Sequence, residues 1–176
     1  MPEYADVYAI AGDRTERTIT QFLDCFLPSR VESADEYEIP QYSDSPTNVY
    51  TKATDLILHC CANRNEVHAI YWRSNEHPEH AMVFFLADGG MILGVSTPSE
   101  NFKRVDEIAI KLERFIGSDN VFITHEDTPP ESIAEFLTLL NSLESAPDEL
   151  ARGTRVHRRI KGEQSVEPEL PSTVSH

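Results

Sequence analysis

The sequence predicts an α+β fold, a mixed but largely antiparallel sheet of about five or six strands with about four helices packed on it. Three short strands joined by tight loops follow one another between residues 67 and 95, which is typical of an antiparallel meander. Several longer segments place apolar residues at helical spacing, so each predicts a helix with one buried stripe. Residues 91–123 read strand, helix, strand, a crossover that brings two strands parallel.

A strand and a capped helix open the chain. Val7–Ile10 is an apolar run followed by a Gly-containing turn, which predicts a short strand. Asp13 is the predicted N-cap of the first helix, because Glu16 stands three residues on, the spacing of a capping box. Apolar residues then recur at helical spacing until Pro28, which ends the helix.

An edge strand is predicted next, at Asp35–Ile39. Tyr37 and Ile39 lie on one side of the alternation and charged residues on the other, and Pro40 follows, a residue that sheet edges tolerate. Residues 41–46 form a polar loop. Because an edge strand has unpaired backbone groups, a partner can combine strand addition with ion pairing here.

The middle of the chain predicts one helix and then three strands. The helix covers residues 51–63, with Thr51 as its cap. The three strands are Val67–Trp72, Ala81–Leu86 and Met91–Val95. Asp88–Gly89 is a hairpin turn between the last two. Since Ala81–Leu86 is apolar throughout, we expect it to be central and covered on both faces, with Phe84 in the core.

Two later helices share one predicted start pattern. Thr97–Pro98–Ser99–Glu100 and Thr128–Pro129–Pro130–Glu131 each place a capping Thr before a Pro at the first helical position and a Glu at the third. The first of these helices should stop at Gly117 and the second before Pro147. Val121–Ile123 is the predicted strand between them.

Charge and periodicity divide the chain into one domain and a tail. Residues 1–146 form the predicted acidic α+β domain. They carry all of the excess negative charge behind the net charge of -15, since they contain 10 Lys and Arg against 25 Asp and Glu. Residues 147–176 lose the hydrophobic periodicity and contain a basic run at 152–161, so we expect a flexible or loosely docked tail. A strongly acidic domain repels phosphates and anionic lipid, which predicts that it binds neither nucleic acid nor membrane.

The cysteines and the first residues predict a cytoplasmic protein. No basic region followed by a long apolar stretch opens the chain, and the longest apolar run, residues 81–87, is too short to span a bilayer. Cys60 and Cys61 are adjacent and Cys25 is distant, which indicates a reducing compartment and core thiols, not a disulfide framework. No cofactor is predicted, because the sequence contains no Gly-rich phosphate loop and no serine-nucleophile motif.

One loop gathers candidate metal ligands. His77 and His80 supply two imidazoles and Glu79 a carboxylate, and zinc sites combine several such groups. Pro78 interrupts the loop, so the spacing does not preset the geometry as a helix would. A metal-dependent hydrolase with its site near His77 and His80 is therefore an alternative function.

The function that the sequence favours is non-enzymatic protein binding through an acidic surface. We predict that the partner-binding residues are Glu36, Glu38, Tyr42 and Asp44. A small acidic α+β domain without catalytic motifs is similar in type to bacterial immunity and inhibitor proteins, which neutralise a basic partner, and an adaptor role fits the same features. The expected partner is a protein, and a basic one suits the surface. An oligomerising accessory protein is a further alternative.

Overall fold

A seven-stranded sheet, a separate two-stranded ribbon and four helices make up the part of the chain that the computed structural model describes, residues 3–145 and 155–156. The strands are β1 (Tyr4–Ile10), β2 (Arg30–Glu32), β3 (Tyr37–Ile39), β4 (Asn48–Tyr50), β5 (His68–Ser74), β6 (His80–Phe85), β7 (Met91–Pro98), β8 (Val121–Thr124) and β9 (Arg155–Val156). The helices are α1 (Glu16–Phe26), α2 (Ala53–Ala62), α3 (Phe102–Ile116) and α4 (Ile133–Ser145). No helix in these ranges has both the length and the apolar character that a bilayer span requires.

The α+β class is confirmed, and the order of strands in the sheet is β2-β5-β6-β7-β1-β8-β9. Each pair of neighbouring strands in the described part of this sheet is antiparallel. The crossover through α3 does give β7 and β8 the same direction, but β1 lies between them and pairs with both. The N-terminal strand therefore occupies the position where a parallel contact was expected.

One face of the sheet, which we call the first face, packs against α1, α2 and α3. Its strands contribute alternate apolar side chains, among them Val7, Phe85 and Leu93, which belong to one buried cluster. The helices add their apolar stripes to the same cluster: Ile19, Phe22 and Leu23 from α1, Leu56, Ile57 and Cys60 from α2, and Val105, Ile108 and Leu112 from α3. Most of the core therefore lies on this side.

The opposite face, the second face, packs against α4. Phe122 of β8 contacts Phe136 of α4 with the ring centroids 4.9 Å apart, in a smaller cluster that also contains Tyr8. On β5, Tyr71 stays 38% exposed. Phe84 lies in this face and is half-buried, although the sequence predicted it in the core. The strand is central as predicted, but α4 does not cover all of its second face.

The predicted starts of α1 and α3 are wrong by a few residues. Thr15, not Asp13, is the N-cap of α1, and its hydroxyl oxygen accepts a hydrogen bond from the Thr18 N–H at 3.2 Å. Asp13 instead accepts hydrogen bonds from both of those threonine hydroxyls. Thr97–Pro98 ends β7, and Asn101 caps α3. The pairing of β7 with β1 extends through Pro98, so the sheet takes residues that the local pattern assigned to a cap.

Of the other helix boundaries, the end of α3 was predicted correctly, and the starts of α4 and α2 were not. Gly117 ends α3 in the left-handed conformation, with φ 68°, as predicted. At α4, Ser132 accepts the Glu135 N–H at 3.1 Å, four residues beyond the predicted Thr128 cap. At α2, Lys52 is the N-cap and makes no side-chain capping bond, where Thr51 was expected.

A buried arginine fastens α2 to the turn between β6 and β7. Arg14 is 3% exposed. Its guanidinium donates hydrogen bonds to five backbone oxygens, those of Cys60 (3.0 Å), Asn63 (3.2 Å), Glu66 (2.8 Å), Leu86 (2.8 Å) and Gly90 (3.2 Å). It also lies 4.8 Å from the centroid of the Phe85 ring. Carbonyls at the end of a helix lack partners within the helix, so Arg14 satisfies the end of α2 from inside the protein.

The basic run at 152–161 enters the described structure at two residues. Arg155 and Val156 pair with Ile123 and Phe122 of β8, at the edge of the sheet. The rest of the predicted tail, residues 147–154 and 157–176, lies outside the described residues. The boundary of the 1–146 domain therefore stays a prediction.

Candidate functional site

The predicted partner-binding residues lie on the ribbon formed by β3 and β4 and on the loop that joins them. Tyr37 and Ile39 are buried in the first-face cluster, while Glu38 alternates to the other side of β3 and is half-buried. Glu36 and Asp44 are exposed. The sequence expected β3 at the edge of the main sheet. The structure pairs it with β4 instead, a strand that the sequence analysis did not predict.

The loop between the two ribbon strands, residues 40–47, is held against the edge of β5. We call it the tyrosine loop. The Gln41 amide nitrogen donates to the Ala69 carbonyl at 3.1 Å, and the Ala69 N–H donates to the Gln41 side-chain oxygen at 2.8 Å. The carboxamide thus pairs with β5 as a backbone amide of another strand would. The His68 ring lies 3.0 Å from the Glu38 carbonyl, and burial lowers the pKa of His68, which favours the neutral imidazole.

Tyr42 differs from the other residues of the tyrosine loop in its exposed aromatic ring and in its backbone conformation. Its side chain is 81% exposed, and its backbone has φ 62°, in the left-handed region that glycine usually occupies. For a residue with a side chain, that conformation costs about 1–2 kcal/mol. The bonds on either side impose it, since Gln41 is tied to Ala69 and the Thr47 N–H donates to the Ile39 carbonyl at 2.7 Å. The loop therefore holds an aromatic ring out in solvent at a cost in stability.

The carboxylates around Tyr42 are not neutralised by cations of the described chain. The ion pairs between residues in 3–145 and 155–156 lie elsewhere and do not include Glu36, Glu38 or Asp44. Carboxylates without a paired cation produce a negative potential at the surface. The ribbon and tyrosine loop together therefore combine an exposed aromatic ring with negative charge.

A groove of about 400 Å³ opens next to the tyrosine loop, between the ends of β5 and β6 and the segment before α4. Its walls are largely apolar and include Val67, Ala69, Phe84, Leu86, Pro129 and Pro130. Tyr71 packs edge-on against Phe84, with ring centroids 5.9 Å apart. Burial raises the pKa of Tyr71, and the nearby Tyr42 raises it further. The sequence analysis missed this groove.

The three candidate metal ligands point in different directions. Glu79 is buried, and its carboxylate accepts hydrogen bonds from Arg104 of α3 at 2.6 and 3.0 Å. His80 lies on the second face, where its ring centroid is 5.7 Å from that of Tyr4. His77 stays in the exposed loop. Across the described ranges, no three His, Cys, Asp or Glu side chains come together in a way that could hold a metal ion.

The cysteines are free thiols, and all three lie in or beside the core. Burial raises the pKa of Cys60 to about 12 and also raises the pKa of Cys61. A thiol must lose its proton to act as a nucleophile or a metal ligand, so both groups are poorly suited to either role. Their positions agree with the core role that the sequence indicated.

A buried carboxylate in the second face is a further feature that the sequence analysis missed. Asp6 is 7% exposed and lies across the sheet from Ser96 on one side and Thr124 on the other. Burial raises its pKa, although the Ser96 hydroxyl and the Glu126 N–H both donate to it. Glu126 has φ 54°, and the next residue, Asp127, accepts the Thr124 hydroxyl at 3.0 Å. These polar groups satisfy one another.

No protein-family model matches the sequence, and no curated protein matches it. Among solved structures, the chain is similar to a chain in the crystal structure of the toxic C-terminal tip of CdiA from Pseudomonas aeruginosa in complex with immune protein. The two chains are 15% identical, the match covers 72% of this chain and 88% of that chain, and the TM-score is 0.37. A TM-score of that size carries no argument about the fold or the function of this protein.

Proposed function

We propose that this chain is a non-enzymatic protein-binding domain of the immunity, inhibitor or adaptor type, acting in the cytoplasm through the surface that carries Glu36, Glu38, Tyr42 and Asp44. The observation that carries the proposal is Tyr42, an exposed ring held at positive φ. Exposed tyrosines often dominate binding energies, because a large rigid ring becomes buried in the complex. Strained non-glycine residues persist where function requires them and the surrounding structure imposes them.

The charges around Tyr42 favour a basic partner. Glu36, Glu38 and Asp44 have no paired cation among the described residues. Their field attracts a cationic surface and raises the rate of association, an effect that salt screens beyond roughly 8 Å at physiological ionic strength. We therefore expect association to slow steeply as salt is added. The three free thiols fit the reducing cytoplasm that the proposal assumes.

Capture from a lysate of the native host tests the proposal. The full-length protein is immobilised, and the retained proteins are identified at low and high salt by mass spectrometry. We expect the wild-type protein to retain basic proteins at low salt. High salt should abolish this retention, and so should the double variant Glu36→Lys/Glu38→Lys and the variant Tyr42→Ser. The matched control, Glu76→Lys/Glu100→Lys, makes the same change of charge at two exposed positions outside the ribbon.

Each result of the capture bears on the proposal. The proposal is supported if the control retains the basic proteins and the variants at Glu36, Glu38 and Tyr42 do not. Equal retention by all four proteins would mean that the acidic surface contributes to solubility alone, and the proposal would be wrong.

A further inference from the structure

The groove beside the tyrosine loop has an aromatic floor that residues 3–145 leave open. Phe84 packs edge-on against Tyr8 and Tyr71, with centroids 5.8 and 5.9 Å apart, so its ring is fixed in position. Val67 on the wall is 53% exposed. A volume of about 400 Å³ is at the lower end of sites that bury drug-sized ligands. The groove is therefore large enough for one or two large apolar side chains, but not for a folded element.

The charge around the groove is negative. Glu131 lines it, and the neighbouring tyrosine loop carries Asp44. Both carboxylates belong to exposed residues. Among the described residues, those that line the groove include no Lys and no Arg. An occupant with cationic groups on either side of an apolar side chain would match this distribution.

Two residues of the basic run of this same chain lie at the far edge of the sheet. Arg155 and Val156 form β9, and five strand spacings separate β9 from β5 in the sheet order. At about 4.8 Å a spacing, that is roughly 24 Å. These two residues of the run are thus engaged with β8. The negative charge beside the groove favours a cationic segment of another protein as its occupant.

We propose that the groove binds a large apolar side chain, such as Phe, Trp, Leu or Met, from a partner segment that carries Lys or Arg on both sides of it. This inference rests on the proposed function and adds the chemistry of the partner. The apolar side chain enters between Phe84 and the Pro129–Pro130 segment. The flanking cations face Glu131 on one side and the acidic tyrosine loop on the other, and Tyr42 packs on the segment between them.

A displayed library of random twelve-residue peptides tests the inference directly, with the full-length protein as the target. We expect selection of peptides that combine one large apolar residue with flanking Lys or Arg. Synthetic forms of the selected peptides are then measured by fluorescence anisotropy. Replacing the apolar residue by Ala should weaken binding about tenfold or more, the usual effect of removing an anchor from its pocket.

Variants at the mouth of the groove distinguish the effect of filling the groove from the effect of changing its charge on peptide binding. Ala87 and Thr128 are exposed lining residues, so substitution there removes no core contact. Ala87→Trp fills the groove and should weaken the selected peptides about tenfold or more, whereas Ala62→Trp, at an exposed position outside the groove, should not. Thr128→Arg should weaken binding and Thr128→Glu should not, because the two differ in charge at one position. Thermal melts check that each variant is folded.

The outcomes distinguish the groove from the acidic ribbon. Loss of peptide binding in Ala87→Trp and Thr128→Arg supports the groove, whatever Glu36→Lys/Glu38→Lys does. Loss in the ribbon variant alone leaves the proposed function standing and overturns the groove. Selection of no peptides, or of peptides without cations, overturns the inference. So does tight binding of a synthetic peptide of residues 152–161, or a concentration-dependent dimer that Ala87→Trp abolishes, since the occupant would then be this chain or its second copy.

Discussion

The first face of the sheet packs against three helices, whereas the second face packs against α4, which leaves its β5 side open. The first face is apolar at its centre and receives the buried guanidinium of Arg14 at one end. The second face contains the buried carboxylate of Asp6, and the groove with its half-buried Phe84 lies at its edge. The tyrosine loop stands next to that open side.

Because of this difference, the first face contributes mainly to stability, and the open part of the second face is available for binding. A face that is covered from end to end can gain free energy from every apolar side chain that it buries. A face that is left partly open gives up some of that gain and keeps apolar surface available to a partner. We therefore expect substitutions on the first face to unfold the protein. Substitutions on the open part of the second face should change binding more than folding.

Two neighbouring phenylalanines provide the strongest test, because they point to opposite faces of β6. Phe85 is 1% exposed in the first-face cluster, while Phe84 is half-buried at the groove. Phe85→Ala should lower the free energy of unfolding by about 3–5 kcal/mol. Phe84→Ala should lower it by about 1–2 kcal/mol, because part of that ring already contacts water. Urea denaturation measures both, and equal losses would mean that the two faces are buried alike.

The next largest effect is expected at Arg14. Arg14→Met keeps most of the side-chain volume but removes five hydrogen bonds to backbone oxygens, two of which, to Cys60 and Leu86, are buried. We expect a loss of about 2–3 kcal/mol, the scale of a charged hydrogen-bonding group in a protein interior. Arg17→Met, at an exposed position of α1, is the matched control and should be near neutral. If Arg14→Met unfolds at the same urea concentration as the control, Arg14 does not fasten α2 to the turn.

Substitution of Tyr42 by Gly should raise the free energy of unfolding, unlike the substitutions above. Tyr42→Gly removes the strain of φ 62°, so we expect the variant to be more stable by roughly 0.5–1 kcal/mol, after the entropy cost of glycine is subtracted. Tyr42→Ala removes the ring but keeps the strain, and should leave stability nearly unchanged. Both variants should lose the peptides that the groove selects. A Tyr42→Gly protein that is less stable than the wild type would show that the exposed ring contributes to the fold.

The smallest effect concerns the pH dependence that Asp6 adds to the second face. Its pKa is raised in the folded protein, mainly by burial. The folded state then holds the proton more tightly than the unfolded chain, so this carboxyl favours folding at low pH. That contribution is lost as the pH rises from the ordinary pKa of aspartate through the raised one. Asp6→Asn should abolish this decline and be more stable at neutral pH. Urea denaturation at a series of pH values measures the slope, and an unchanged slope would assign the decline to another group.

The elements with a strong local pattern could be predicted from the sequence, and the site only in part. The helical stripes, the meander and the glycine stop at Gly117 follow from periodicity and from backbone conformations that neighbouring residues impose. The short strands β2 and β4 were missed, since three residues carry too little periodicity to identify a strand. Asp6 was missed because it stands one residue before the predicted strand, so its burial could not be inferred.

Local properties of the sequence were enough to establish that the chain is acidic, that its helices bury one stripe each and that Tyr37 and Ile39 face inward. Each of these depends on composition or on spacing along the chain. Only the packing of the whole chain shows that β1 lies between β7 and β8, that Arg14 caps a helix distant in sequence and that Glu79 pairs with Arg104 away from His77. It also placed Gln41 against Ala69 and so positioned Tyr42 beside the groove. Contacts of this kind join residues far apart in sequence, and their free energy depends on which strands become neighbours, which no local pattern specifies.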